Sequence, residues 1–235
     1  MTKHEFARLQ GIAENSLYSA GVMGQAIRHC ARIFARSLAP GAILEMGPAE
    51  GLMTDELALL GRPVTVVEGA EVFCREIRAR HPHISVVNTL FESFEPLNVF
   101  GNIILGHVLE HVEDPVGLLR KIHRWLEPGG RVLAAVPNSR SLHRQAAVLM
   151  GLLLFEEALN ERDLHHGHRR VYRPETFRRD FLQAGYRIEQ FGGYWLKPLS
   201  NGQLEQSWTP EMVDAFLQLG ERYPDVAGEL YIVAS

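Results

Sequence analysis

Short apolar runs of strand character alternate with helical patterns over most of this chain, and glycine, proline or an acid marks nearly every junction. The β-rich runs are AILEMG, VTVVEG, ISVVN, NIILGHVL and RVLAAVP. Between them lie a helical segment from Met53 to Leu60 stopped by Gly61, then VFCREIRARH, then PVGLLRKIHRWLE ended by Pro128-Gly129-Gly130. Short strands that are apolar throughout, separated by helices, predict a mainly parallel sheet buried on both faces. Right-handed crossovers make it a doubly wound, Rossmann-like α/β fold.

The flanks differ from this repeat. VMGQAIRHCARIFARSL spaces Met23, Ile27, Ala31, Phe34 and Leu38 three or four apart and stops at Pro40-Gly41, so residues 1–39 are expected to form a helical cap beside a domain of residues 40–235. After Asn138 the regularity breaks. SLHRQAAVLMGLLLFEEAL predicts one long helix or two, and NERDLHHGHRRVYRP is a polar tract, so residues 139–173 read as an insertion. Helices PETFRRDFLQAG and TPEMVDAFLQLGERYP follow, with YRIEQFGGYWLKPL and ELYIVAS as two strands suited to an antiparallel sheet edge.

Composition narrows the partners. With 24 Lys plus Arg against 28 Asp plus Glu, the net charge of -4 lacks the basic signature of a nucleic-acid binder. Cys30 and Cys74 are too far apart for a C-x-x-C pair or a metal knuckle, which fits a reducing, cytoplasmic compartment. The start, MTKHEFARLQG, has no apolar leader core. The greasiest run, Ala146 to Phe155, is about half the length a bilayer crossing requires, so no membrane span is expected. It reads as a buried helix, as a hydrophobic lid, or as the interface of a homodimer.

In an open parallel sheet, ligands bind across the carboxyl ends of strands near the point where strand order reverses. The turn in ILEMGPAEG sits at such an end, where Gly47 and Gly51 permit a tight turn and close approach of a ligand. Glu68 ends the second strand about twenty residues later, where a carboxylate can accept from both hydroxyls of a ribose. A dinucleotide site would need G-x-G-x-x-G and room for two phosphates. The turn here is G-P-A-E-G, and Glu45 and Glu50 add negative charge, which suits a cofactor with positive groups better than two phosphates.

These residues resemble the class I S-adenosylmethionine-dependent methyltransferases over most of residues 40–195. The resemblance implies cofactor contacts from Glu45, Gly47, Ala49, which replaces the middle glycine of the family's turn, and Gly51. It also implies that Glu68 holds the ribose with Gly69 beside it, that Leu90 and Phe91 flank the adenine, and that Glu92 accepts from the adenine amine. The family's fourth strand usually begins with an aromatic-aspartate pair, whereas this chain has Phe100-Gly101-Asn102. GHVLEHVEDPVGLLRKIHRWLEPGGRVLAAVPN is similar to the branch containing ubiquinone-type and sugar or secondary-metabolite O-methyltransferases. By that likeness Gly106 and His107 lie beside the cofactor, and the product is S-adenosylhomocysteine.

Methylation of a hydroxyl is assisted by removing its proton, a task that suits histidine. The candidate bases are His107, His111, His166 and His168. Arg169 and Arg170 could pair with an anionic acceptor, and Tyr18 and Tyr172 could close the cleft. A metal held by His165, His166 and His168 is not expected, because neighbouring side chains diverge and no carboxylate spacing completes a site. The expected substrate is a small polar metabolite, with a sugar-like hydroxyl favoured over a phenolic, quinone-type or amine acceptor; a non-catalytic cofactor-binding protein is the competing reading.

Overall fold

The computed structural model describes Phe6, residues 9–11, Ala13 and residues 21–235. Tyr18, expected to close the cleft, lies outside the described residues. The chain order is α1 (Gly21–Ala35), β1 (Ile43–Met46), α2 (Leu52–Ala58), β2 (Val64–Glu68), α3 (Glu71–Arg80), β3 (Ser85–Asn88), β4 (Phe100–Gly106), α4 (Pro115–His123) and β5 (Leu126–Pro137). Then come α5 (Leu142–Leu149), α6 (Glu161–His165), α7 (Pro174–Gln183), β6 (Ile188–Tyr194), α8 (Asn201–Ser207), α9 (Pro210–Gly220) and β7 (Glu229–Ala234).

Seven strands form one sheet in the order β3-β2-β1-β4-β5-β7-β6. The first five are parallel, and β7 lies antiparallel between β5 and β6. Strand order reverses between β1 and β4, which places a crevice at their carboxyl ends. Because β7 runs the other way, it begins at that same edge: Glu229 pairs with Pro137, the last residue of β5, and with Tyr194, the last of β6.

Alternation along the strands divides the core into two layers. Leu44, Met46, Ile103, Leu105, Val132 and Ala134 face α4 and α7, where Phe177, Phe181 and Trp125 complete the packing. Ile43, Ile104, Leu133 and Ala135 face the opposite layer, which contains Phe34, Trp195, Leu204 and Leu217. The helix expected only to cap the cleft is therefore part of this second layer, with Ala26, Cys30, Ile33 and Phe34 buried.

Asn102 stands where an aspartate is usual, and it still joins β4 to the end of the N-terminal helical region. Its Oδ1 accepts from the Ala39 amide and its Nδ2 donates to the Ala39 carbonyl, both at 2.8 Å. An amide offers both a donor and an acceptor, so it can satisfy both backbone groups of one residue.

The run from Ala146 to Phe155 departs from the expected buried helix. α5 ends at Leu149, residues 151–156 run through turns and bends, and Leu149, Leu152 and Leu154 are 89%, 72% and 90% exposed. Gly151 adopts φ 72°, a left-handed conformation that ends a helix readily. Among the described residues, no helix is long and apolar enough to cross a membrane.

Candidate active site

A cavity of about 930 Å³ opens along the carboxyl ends of β1, β2, β4 and β5. That is near the top of the range of about 300–1,000 Å³ usual for small-ligand sites, enough for a nucleoside cofactor and a small second substrate. Its walls divide into a turn-lined end and a polar end.

At the first end, β1 runs into the turn Gly47-Pro48-Ala49-Glu50-Gly51, whose first four residues line the cavity. Gly47 takes φ 69°, and a Cβ there would come within 3.0 Å of Val108 Cγ2 and 3.2 Å of Phe91 Cζ. Only glycine leaves that space open. Ala49 also has positive φ, 49°, so a methyl group sits where the backbone would prefer glycine. Gly51, expected among the cofactor contacts, instead closes the turn behind the cavity wall at φ 81°, where a Cβ would meet Ile77 and Arg80.

Glu68 projects from the end of β2, and its Oε1 accepts from the Ala70 amide at 2.7 Å. Burial lifts its carboxyl to about 7, against the amides of Ala70, Ala49 and Gly69, which favour the anion. Ribose hydroxyls would add donors and favour the anion further. Glu45 lies inside β1, where Thr54 Oγ1 donates to its Oε2 at 2.6 Å. Burial lifts it to about 8, so without a cation beside it Glu45 is mainly neutral at pH 7. The negative character expected at this turn therefore comes less from Glu45 than its sequence position suggests. Leu90, Phe91 and Glu92 form the facing wall, where Lys121 Nζ donates to the carbonyls of Phe91 (3.3 Å) and Glu92 (2.7 Å).

The polar end is built around His107, which follows β4 at φ 60°. Its Nε2 is 3.0 Å from Tyr194 Oη, and its Nδ1 is 3.3 Å from Glu110 Oε1 and 3.9 Å from Glu229 Oε2. Burial opposes charge on the ring, but the Glu110 and Glu229 carboxylates outweigh it and raise His107 above the ordinary histidine value. In the same way burial would raise Glu110, yet His107, His111 and His168 hold it below the usual carboxylate range.

His111 and His168 meet edge to face with centroids 4.8 Å apart. Burial pushes His111 down to about 4, which leaves it neutral at pH 7. His168 Nδ1 lies 3.3 Å from Asp163 Oδ1, and Asp163 is also paired with Arg144 at 3.1 Å. Glu110, His111 and His168 bring ligand atoms within 4.8 Å of one another, so among the described residues an ion would be held there rather than by His165, His166 and His168.

The remaining expected contacts separate. His166, His168 and Arg169 line the cavity, but the Arg169 Nε donates to the His111 carbonyl at 2.9 Å and braces the loop. Arg170 and Tyr172 do not reach it: Arg170 donates to the Glu113 carbonyl, and Tyr172 is buried in the core with its hydroxyl 3.2 Å from Asp180. Alternation in the extended segment 170–172 and the bridge between Tyr172 and Asn138 turn these side chains away. Sequence reasoning missed Glu229, Lys197 and His143, all of which line the cavity. A lysine inside the apolar run YWLKPL and an acid opening a fully buried strand were the available signals.

A crevice at the switch point of a β3-β2-β1-β4-β5-β7-β6 sheet, with Glu68 at the end of β2, has the layout of a Rossmann-like methyltransferase fold. Residues 20–190 match the methyltransferase domain model, and the chain belongs to that family. It is 27% identical over 170 residues to a ubiquinone biosynthesis O-methyltransferase of Xanthomonas oryzae pv. oryzae, covering 70% of each chain. An S-adenosylmethionine-dependent methyltransferase from Mesorhizobium loti superposes with a TM-score of 0.65 at 18% identity, covering 91% of this chain and 99% of that one. The glycopeptide N-methyltransferase MtfA, solved with S-adenosylmethionine, gives 0.59 at 16% identity, covering 92% and 87%. The protein is an S-adenosylmethionine-dependent methyltransferase.

Proposed function

We propose that this enzyme methylates a hydroxyl of a small polar acceptor, a sugar-like or similarly hydroxylated molecule. The observation that carries the reading is the continuity of one cavity from Glu68 to the cluster of Glu110, His107, His111 and His168. S-adenosylmethionine supplies an electrophilic methyl group when bound. The residues that would hold it are the turn that Gly47 opens and Gly51 closes, Glu68 with Gly69 at the ribose, Leu90 and Phe91 beside the base, Glu92 at its edge, and Gly106.

His168 is the proton acceptor in this reading. Asp163 lies 3.3 Å from its Nδ1, which leaves Nε2 for the acceptor's proton, whereas Tyr194 and Glu110 engage both nitrogens of His107 and make it a positioning residue. His111 forms the adjoining wall, with His166 beside it, and orients the acceptor's oxygen. The O-methyltransferase relative supports oxygen as the attacked atom. Its place in ubiquinone biosynthesis raises a phenolic or quinone-type acceptor as the second reading, and the exposed leucines of 149–154 near α5 would suit an apolar tail.

The test is incubation with S-adenosylmethionine and panels of sugars, phenols and amines, reading S-adenosylhomocysteine release and product mass. Methylation of hydroxyl acceptors is expected. Activity confined to amines, or cofactor that never binds, overturns the proposal.

A further inference from the structure

Lys197 follows β6 and lies 8% exposed in the cavity wall. Its stem packs against Gly228, where a Cβ would sit 3.3 Å from Lys197 Cβ and 3.6 Å from its Cδ. Its Nζ stands 4.7 Å from the centroid of the Trp195 ring. Among the described residues, no carboxylate lies within 4.0 Å of that Nζ and no hydrogen bond from it is formed.

Among the described residues, the surrounding charges leave the ammonium without a direct counterion. Arg144 and Asp163 pair with each other, and the Arg144 Nε and Nη2 are taken by the carbonyls of Glu156 and Ala158. Arg162 adds a second positive group on the cavity wall. Glu229, the acid whose charge acts most on Lys197, faces His107. A buried charge with no partner is costly unless something else supplies one. His143, on the facing α5, lines the cavity as well. The His143 amide donates to the Lys197 carbonyl at 3.3 Å, which keeps α5 and the loop after β6 together at this end of the cavity.

We propose that Lys197 selects methyl acceptors carrying a carboxylate, which would sit against its ammonium on the side of His143 while the hydroxyl lies toward His168. The inference rests on the methyltransferase reading above. One ammonium balances one negative charge, and the nearby Glu229 and Glu110 carboxylates make a doubly charged phosphate a poorer occupant. Sequence proximity gives no hint of the site, because His143 and Lys197 meet only through the fold.

The experiment titrates the protein with S-adenosylhomocysteine by calorimetry and then titrates the loaded protein with matched probes, 3,4-dihydroxybenzoate against catechol and glucuronate against glucose. In at least one pair the acid is expected to bind about tenfold or more tightly than its neutral partner, the worth of one charge-assisted hydrogen bond. Lys197→Met should bring the two members within about twofold and leave S-adenosylhomocysteine binding intact, with Lys197→Gln as the second variant if Met disturbs folding. Acids that bind no better than their neutral partners in both pairs overturn the proposal, as does an acid preference that survives both substitutions. If S-adenosylhomocysteine does not bind the wild-type protein, the methyltransferase reading falls as well; if it binds and no acid is preferred, only the role of Lys197 falls.

Discussion

Replacing Glu68 by Gln tests the cofactor end of the cavity most directly. The Ala70 amide occupies Glu68 Oε1 at 2.7 Å, so the substitution can keep that bond through its remaining oxygen. What it loses is the negative charge and one acceptor facing a ribose hydroxyl. A hydrogen bond to a charged group contributes about 1.5–3 kcal/mol, so S-adenosylhomocysteine should bind roughly 10- to 150-fold more weakly. The pH dependence gives a second reading of the same residue. With its carboxyl lifted to about 7, wild-type Glu68 must lose a proton to bind below that pH, and affinity should be about tenfold weaker at pH 6 than at pH 8. The Gln variant cannot titrate at this position and should lose that slope. Calorimetry across this pH range measures both effects. Wild type and variant agreeing within about twofold at every pH would refute the assignment of Glu68 to the ribose.

Glu45→Gln addresses stability without cofactor. The folded carboxyl sits at about 8 against an ordinary 4.5, so its favourable contribution is fully present below 4.5 and is lost as pH rises through about 8. Urea unfolding should therefore show the variant gaining on wild type over that window, by a few kcal/mol on the order of the shift; parallel pH curves would contradict this. Gly47→Ala should cost about 1–2 kcal/mol for left-handed backbone and further disturb Val108 and Phe91, whereas Ala49→Gly should be neutral or slightly stabilising. Urea midpoints that rank the two the other way would count against the turn geometry. His168→Ala, which removes the proton acceptor, should lower turnover by about 10²- to 10⁴-fold at saturating cofactor. His111→Ala and His107→Asn, which tolerates the positive φ, should reduce turnover less while cofactor affinity holds; full activity in all three would leave them structural.

Much of the turn-lined end of the cavity was legible because it is local. The turn after β1 and the acid ending β2 each follow directly from the strand that carries them, and a short strand has few places to put its last side chain. Asn102 shows the limit of pattern matching: an aspartate is absent, yet the amide makes the contact through chemistry the pattern did not consider. The run from Ala146 to Phe155 shows another. Its apolarity suggested burial, but burial depends on a facing layer, and beyond Leu149 the chain turns away from the core.

The sequence by itself determined the parallel βα framework, since strand and helix periodicities are properties of neighbouring residues. It also determined that Gly47, Gly51 and Glu68 would stand at strand ends. Only the tertiary structure decided the polar end. The antiparallel insertion of β7 between β5 and β6 brings Glu229 beside His107, while the loop after β6 carries Lys197 to His143. The same packing directs Arg170 and Tyr172 away from the cavity. Such meetings depend on strand order and pairing register between distant segments, and local periodicity carries no record of either.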